Sequence, residues 1–165
     1  MNFQFYMEKL RASEIFKKFI KENSKAFLCS CFFSIDFVEK ANKIHFDYYI
    51  PNSKQMFSFK LEKECEKELI QTREDFLPEE ISENIDFELK DIEKILTERM
   101  KKENIQEKAQ KVFISLQRVR KKEVLIGTMF ISAMGMISFE LELSSKKIIS
   151  FQKKSFLDFF KILKK

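Results

Sequence analysis

Three cysteines, one histidine and a few separated carboxylates are the side chains that could do chemistry in this chain. Cys29 and Cys31 stand at i, i+2 within AFLCSCFFSIDF, a spacing that puts both on one face of a strand. Such a pair can hold a soft metal or cycle between thiol and disulfide, and Cys65 and His45 would complete four ligands. The rest of that face is Phe27, Phe33, Ile35 and Phe37, however, and among such neighbours cysteine behaves as a small hydrophobe. The paired knuckles typical of structural zinc are absent. The reading is buried core thiols, with no metal and no cofactor. His45 must serve any Ser–His or Cys–His nucleophile, and Asp47 beside it would orient the ring. No nucleophile is marked, and a surface histidine is the simpler account. Asp47 and Glu140 occupy matching places in two similar hairpins, both read as solvent-facing.

Composition removes further classes. Gly127 and Gly135 are the only glycines. Dinucleotide fingerprints, phosphate loops and nucleophile elbows each need several, for left-handed backbone or for close approach to a ligand. The chain is therefore expected not to be an enzyme. Twenty phenylalanines and no tryptophan supply the apolar content. The amino terminus lacks the basic-then-apolar layout of an export signal, and three cysteines, an odd number, suit a reducing compartment. The expected location is cytoplasmic.

The net charge of +5 is segregated: residues 62–91 carry −8, residues 101–122 carry +6 and residues 146–165 carry +6. Lys111, Arg118, Arg120, Lys121 and Lys122 cluster along one strand and its turn, the kind of local density that phosphate contacts require. Phe57, Phe59 and Tyr49 would offer stacking surfaces to single-stranded nucleic acid. A solvated basic face is the plainer account, and no nucleic-acid motif accompanies it. The uncharged run at residues 124–139 is short for a membrane helix and reads as a buried strand pair.

Positioning these residues falls to alternating helix and strand patterns. Phe3, Met7, Leu10, Phe16, Phe19 and Ile20 predict a helix over residues 3–22. Strands are predicted over 26–37, 44–50 and 55–61, the last two joined by a turn at Pro51. Residues 62–83 form a charged connector through which a strand at Leu69 is conceivable. A second helix spans 87–103 with Asp86 as its N-cap. Strands follow around Val112–Leu116, over 123–134 (apolar on both faces, hence central), over 137–143 and over 148–151. A last helix is predicted from Ser155, with Phe156, Phe159, Phe160 and Leu163 on one face, docked on a sheet rather than lying on a membrane.

The fold class is thus α+β, with two helix-plus-antiparallel-sheet lobes and a C-terminal amphipathic helix. The first lobe with its charged connector covers residues 1–75 and the second residues 76–165. At an offset of 93, Ile44, Phe46, Tyr48 and Ile50 fall on Ile137, Phe139, Leu141 and Leu143. The strand–turn–strand FELELSSKKIISFQ, echoed by YYIPNSKQMFSF, resembles the ending of PepSY-type domains, and the plan is also similar to cystatin-like folds and to small archaeal proteins. The Asp and Gly of the PepSY turn are replaced by Ser144, Ser145, Lys146 and Lys147. The resemblance implies a non-catalytic interaction or inhibitory module. The expected function is accordingly protein or peptide binding, with nucleic-acid binding through Arg118–Lys122 as the alternative. Phe57, Ser58 and Phe59 are the candidate free sheet edge, open to a peptide or a second copy in a homodimer, unless the connector covers them.

Overall fold

The computed structural model describes residues 1–73 and 75–155. Its elements are α1 (Phe3–Ala12), α2 (Glu14–Glu22), β1 (Phe27–Asp36), β2 (Lys43–Ile50), β3 (Gln55–Lys60), β4 (Glu66–Ile70), α3 (Leu89–Lys102), β5 (Ala109–Val119), β6 (Lys122–Ile131), β7 (Gly135–Glu142) and β8 (Lys147–Ser155). The predicted first helix is two helices because of Ser13. Its backbone N–H donates to the Leu10 carbonyl and closes α1, while its side chain accepts from the Phe16 N–H and opens α2. Serine competes with the helical backbone for hydrogen bonds, so it serves better at a helix end than inside.

Asp86 does not cap the later helix. It accepts from the Asn2 side chain at 3.0 Å, and the cap position falls to Glu88, which makes no side-chain cap bond. Residues 87–89 instead run alongside the amino terminus, with Phe3 N–H donating to the Phe87 carbonyl and Leu89 N–H to the Met1 carbonyl. A predicted C-terminal helix beginning at Ser155 meets a different boundary. Ser155 closes β8 in register with Gly135, and the rest of that segment lies outside the described residues.

The strands form one antiparallel sheet of eight, in the order β4-β3-β2-β1-β5-β6-β7-β8. The strands of residues 1–75 and of residues 76–165, read from the sequence as two lobes, belong to one sheet, joined where β1 pairs with β5. From that pair β2 to β4 run outward on one side and β6 to β8 on the other. The similar hairpins noted in the sequence do not occupy equivalent stations. β2–β3 lies next to the central strand, whereas β7–β8 lies one strand further out.

The connector supplies β4, which covers β3. Ser58 pairs with Asp47 on one side and Glu68 on the other and is buried. The Phe57–Phe59 edge expected from the sequence is therefore an interior strand, and among the described residues the sheet ends at β4 and β8. A run of alternating charge gave no apolar signal for β4. Its charges are nonetheless accommodated: Lys60 pairs with Glu68, and Lys67 lies over the Phe57 ring.

Cross-strand register sorts side chains onto two faces. One face carries Leu28, Cys31, Phe33, Phe46, Tyr48, Phe59, Ile114, Leu116, Leu125, Phe139 and Leu141, which join Met7, Leu10, Phe19, Ile92 and Leu96 of the helices in one apolar cluster. Gly127 sits opposite Ile114 and Phe139 on this face. A Cβ there would overlap the Phe139 ring and lie 2.7 Å from the Phe113 carbonyl oxygen. The left-handed turn positions are held without glycine, by Lys54, Arg120, Lys121, Ala133, Met134 and Lys146 among others.

Two substitutions should therefore act in opposite directions. Gly127→Ala overpacks the Phe139 ring and should lower stability by about 1–3 kcal/mol. Lys121→Gly relieves a left-handed backbone (φ 64°) and should raise it by about 0.5–1 kcal/mol. Urea unfolding of each variant reads both signs.

Candidate binding groove on the open sheet face

Opposite the helices, the register brings together residues with no sequence proximity. Phe32 of β1, Phe113 of β5, Ile126 and Phe130 of β6 and Met136 of β7 line an open groove of about 770 Å³. The rings of Phe32 and Phe113 stack at 5.8 Å between centroids, and Phe113 meets Phe130 edge-on at 5.7 Å. Ser115, Thr128, Ser138, Ser150 and Gln152 flank this apolar strip, and Glu140 is the carboxylate along its lining. Phe113, Thr128, Ser138 and Gln152 stand in one cross-strand row, and Ser115, Ile126, Glu140 and Ser150 in the next. The result is an apolar floor with hydroxyl and amide groups beside it. It suits a ligand with apolar side chains and a polar backbone.

The signal for this surface was in the sequence. β6 is apolar at both parities, and one of those faces is the groove. Attributing both faces to a central strand hid it. Burial on the helical side and half-burial on the open side leave the same pattern in a sequence.

The cysteines are parted by a bulge. Pairing passes from Leu28 opposite Tyr48 to Ser30 opposite Asp47, leaving Cys29 as the extra residue. Cys31 remains in the helix-side core, whereas Cys29 faces the other way, its Sγ 3.6 Å from Met56 Sδ and donating to the Asp47 carbonyl at 3.3 Å. The i, i+2 pair expected on one face is thus split across the sheet. Burial, with Asp47 adding to it, pushes the Cys29 thiol up to about 12. Burial likewise raises Cys31 well above its ordinary value. His45 pairs at 2.7 Å with Glu62 and not with Asp47, which accepts from Ser30 at 2.8 Å. Asp47 and Glu140 lie on the open side four strands apart, about 19 Å at ordinary strand spacing. Among the described residues no group of three His, Cys, Asp or Glu has an arrangement that could hold a metal ion.

The basic residues do not form one patch. Lys111 and Arg118 are at opposite ends of β5, about 23 Å apart along the strand. Lys111 lies 3.3 Å from Asp36, Arg118 3.7 Å from Glu123, and Lys122 2.5 Å from Glu142. Amide hydrogen bonds, first from Glu39, hold the Asp36 carboxyl below its ordinary value, with Lys111 assisting. Arg120 and Lys121 form the β5–β6 turn, and both of their backbone N–H groups donate to the Glu79 carboxylate. Among the stacking candidates, Tyr49 meets Phe76 of the connector at 6.4 Å, and Phe57 and Phe59 lie on the helix side. Phe57 and Phe59 thus lie on the side away from Lys111, and Tyr49 is taken up by Phe76.

No protein-family model matches the sequence, and no curated protein matches it. Among solved structures, the chain is similar to a candidate lipoprotein from Clostridium difficile 630, at 8% identity and a TM-score of 0.48 over 86% of this chain and 91% of the other. No helix among the described residues is long and apolar enough to cross a membrane.

The split cysteines give a direct test. In the native protein at neutral pH a thiol reagent should label Cys65, which is only partly buried, much faster than Cys29 or Cys31. All three should react in denaturant. Native labelling of Cys29 or Cys31 as fast as that of Cys65, measured by peptide mass mapping, would contradict their burial.

Proposed function

We propose that this chain is a non-catalytic binding module that takes an apolar peptide segment on the open face of its sheet. The observation that carries this reading is the groove floored by Phe32, Phe113, Ile126, Phe130 and Met136. Apolar side chains entering it would leave water, at about 25 cal/mol for each Å² buried. The flanking hydroxyls and amides supply partners for a peptide backbone, which a purely hydrocarbon ligand would leave without use.

Strand addition belongs to the same reading, moved from β3 to β8. Among the described residues β8 pairs on one side alone, with β7. It also contributes Ser150 and Gln152 to the groove, so edge and groove are contiguous. The other edge, β4, is short and charged, a pattern that discourages pairing. The tandem PepSY-like organisation and cytoplasmic location inferred from the sequence are part of this proposal. Nucleic-acid binding has weaker support, because Lys111, Arg118 and Lys122 are each neutralised by a carboxylate.

Peptides selected from a random display library on the full-length protein test the proposal. Their affinity should fall at least tenfold in Thr128→Arg, which places a bulky charge in the groove. The thermal midpoint should stay within a few degrees. Arg120→Glu with Lys121→Glu should change affinity less than twofold. If Thr128→Arg leaves affinity intact while the turn variant abolishes it, the groove is not the site and a charged ligand is favoured.

A further inference from the structure

The helix side of the sheet holds a second hollow, separate from the groove. Between α3 and strands β1, β5 and β6 lies a cavity of about 170 Å³, floored by Ile35, Leu96, Val112, Ile114 and Met129, all of them buried. Its rim is more open: Phe37 and Thr97 are exposed, and Glu93 and Ala109 are half-buried. Glu93 and Thr97 stand at i and i+4 on α3, so they lie side by side on the helix face that lines the cavity. We propose that this cavity is a binding site for a small organic amine, with a ring or branched alkyl body on the floor and its ammonium group at Glu93.

Size sets the body of the ligand. An apolar protein cavity of about 150 Å³ admits benzene, so a single ring or a branched chain of similar bulk fits here. The floor side chains are hydrocarbon or thioether and offer such a body no polar contact. The rim sets the head group. Burial raises the Glu93 carboxyl above its ordinary value, with the amino terminus and Lys90 opposing from a distance. Among the described residues this carboxyl has no ion pair and no side-chain hydrogen bond. A hydrocarbon seated on the floor would strip more water from it and return nothing. An ammonium group returns a charge partner and three donors. The Thr97 hydroxyl donates to the Glu93 backbone carbonyl at 2.8 Å, which leaves its oxygen as a second acceptor at the rim. Among the described residues no basic side chain lines the cavity, so an anionic head group would meet Glu93 with nothing to offset it. The site does not depend on the groove being a peptide site, because the two hollows open on opposite sides of the sheet.

The test titrates benzylamine, toluene and benzoate at neutral pH into the full chain with methyl-labelled isoleucine and methionine. Benzylamine should shift the Ile35 and Met129 methyl resonances saturably and leave those of Ile126 and Met136, in the groove, unmoved. Toluene and benzoate should bind at least tenfold more weakly. Glu93→Gln keeps the shape of the rim and removes its charge. It should weaken benzylamine at least tenfold, leave toluene no weaker and hold the thermal midpoint within a few degrees. Toluene binding as tightly as benzylamine, or benzylamine affinity unchanged in Glu93→Gln, would overturn the amine site and leave a plain apolar cavity. Shifts confined to Ile126 and Met136 would overturn it by placing the amine in the groove, and so would the absence of any shift at millimolar ligand.

Discussion

The antiparallel pairing of β1 with β5 is the constraint on which the rest of the molecule depends. It joins two outward-running meanders into one sheet and sets which side of each strand meets the helices. Cys31 opposite Leu116, Phe33 opposite Ile114 and Ile35 opposite Val112 face the helices. Ser30 opposite Gln117, Phe32 opposite Ser115 and Ser34 opposite Phe113 face the open side. A slip of one residue would exchange these sets and turn phenylalanine and isoleucine away from the core. The contact is also distant in sequence, so its formation must overcome a large loop-closure cost before the meanders can reinforce it.

Around that pairing, the helices and the connector are tied down by polar contacts as well as by packing. Glu83 accepts from the buried Tyr48 hydroxyl at 2.7 Å and from Arg11 at 2.7 Å, while Gln4 donates to the Glu83 and Ile85 carbonyls. Burial, with Glu83 next in effect, pushes the Tyr48 hydroxyl well above its ordinary value, so it remains a donor. Ile81 enters the core and its N–H donates to the Leu28 carbonyl at 2.8 Å. Two residues earlier, Glu79 holds the β5–β6 turn. The acidic connector is therefore a strap: it adds a strand, turns an edge into an interior, and ties β1, β2 and the β5–β6 turn together at one end of the strands before α3 begins. With α1, α2 and α3 on one side, the other side is left to the groove.

Charge follows the same logic. Counting along the chain separates an acidic stretch from two basic ones, but the fold lays them next to each other. Lys146 reaches Asp91 and Glu79 holds the Arg120–Lys121 turn across these stretches, while Lys122, Lys153 and Arg11 find Glu142, Glu107 and Glu83. Pairs of this kind at the surface contribute about 0–1 kcal/mol each. Their larger effect is to cancel local fields, which is why a +6 segment does not become a +6 surface. The groove is correspondingly lined mostly by apolar and uncharged polar groups, with Glu140 as its carboxylate.

Most of the secondary structure was legible from alternation alone, because strands with one buried face write a period of two into the sequence. Ile44 to Ile50 and Ile137 to Leu143 are plain examples. Local reading lost what depends on partners in space. Ser13 divides a continuous helical pattern. A bulge at Cys29 sends neighbouring thiols to opposite faces, and β4 exists because β3 offers it hydrogen bonds rather than because EKELI is apolar. The groove was the hardest to read, since Phe32, Phe113, Phe130 and Met136 stand on four strands and become neighbours only through register. The sequence by itself determined which residues seek burial and with what period. Only the tertiary structure decided which face each strand turns to its neighbours, because hydrogen-bond register is a relation between distant segments and is written in neither one alone.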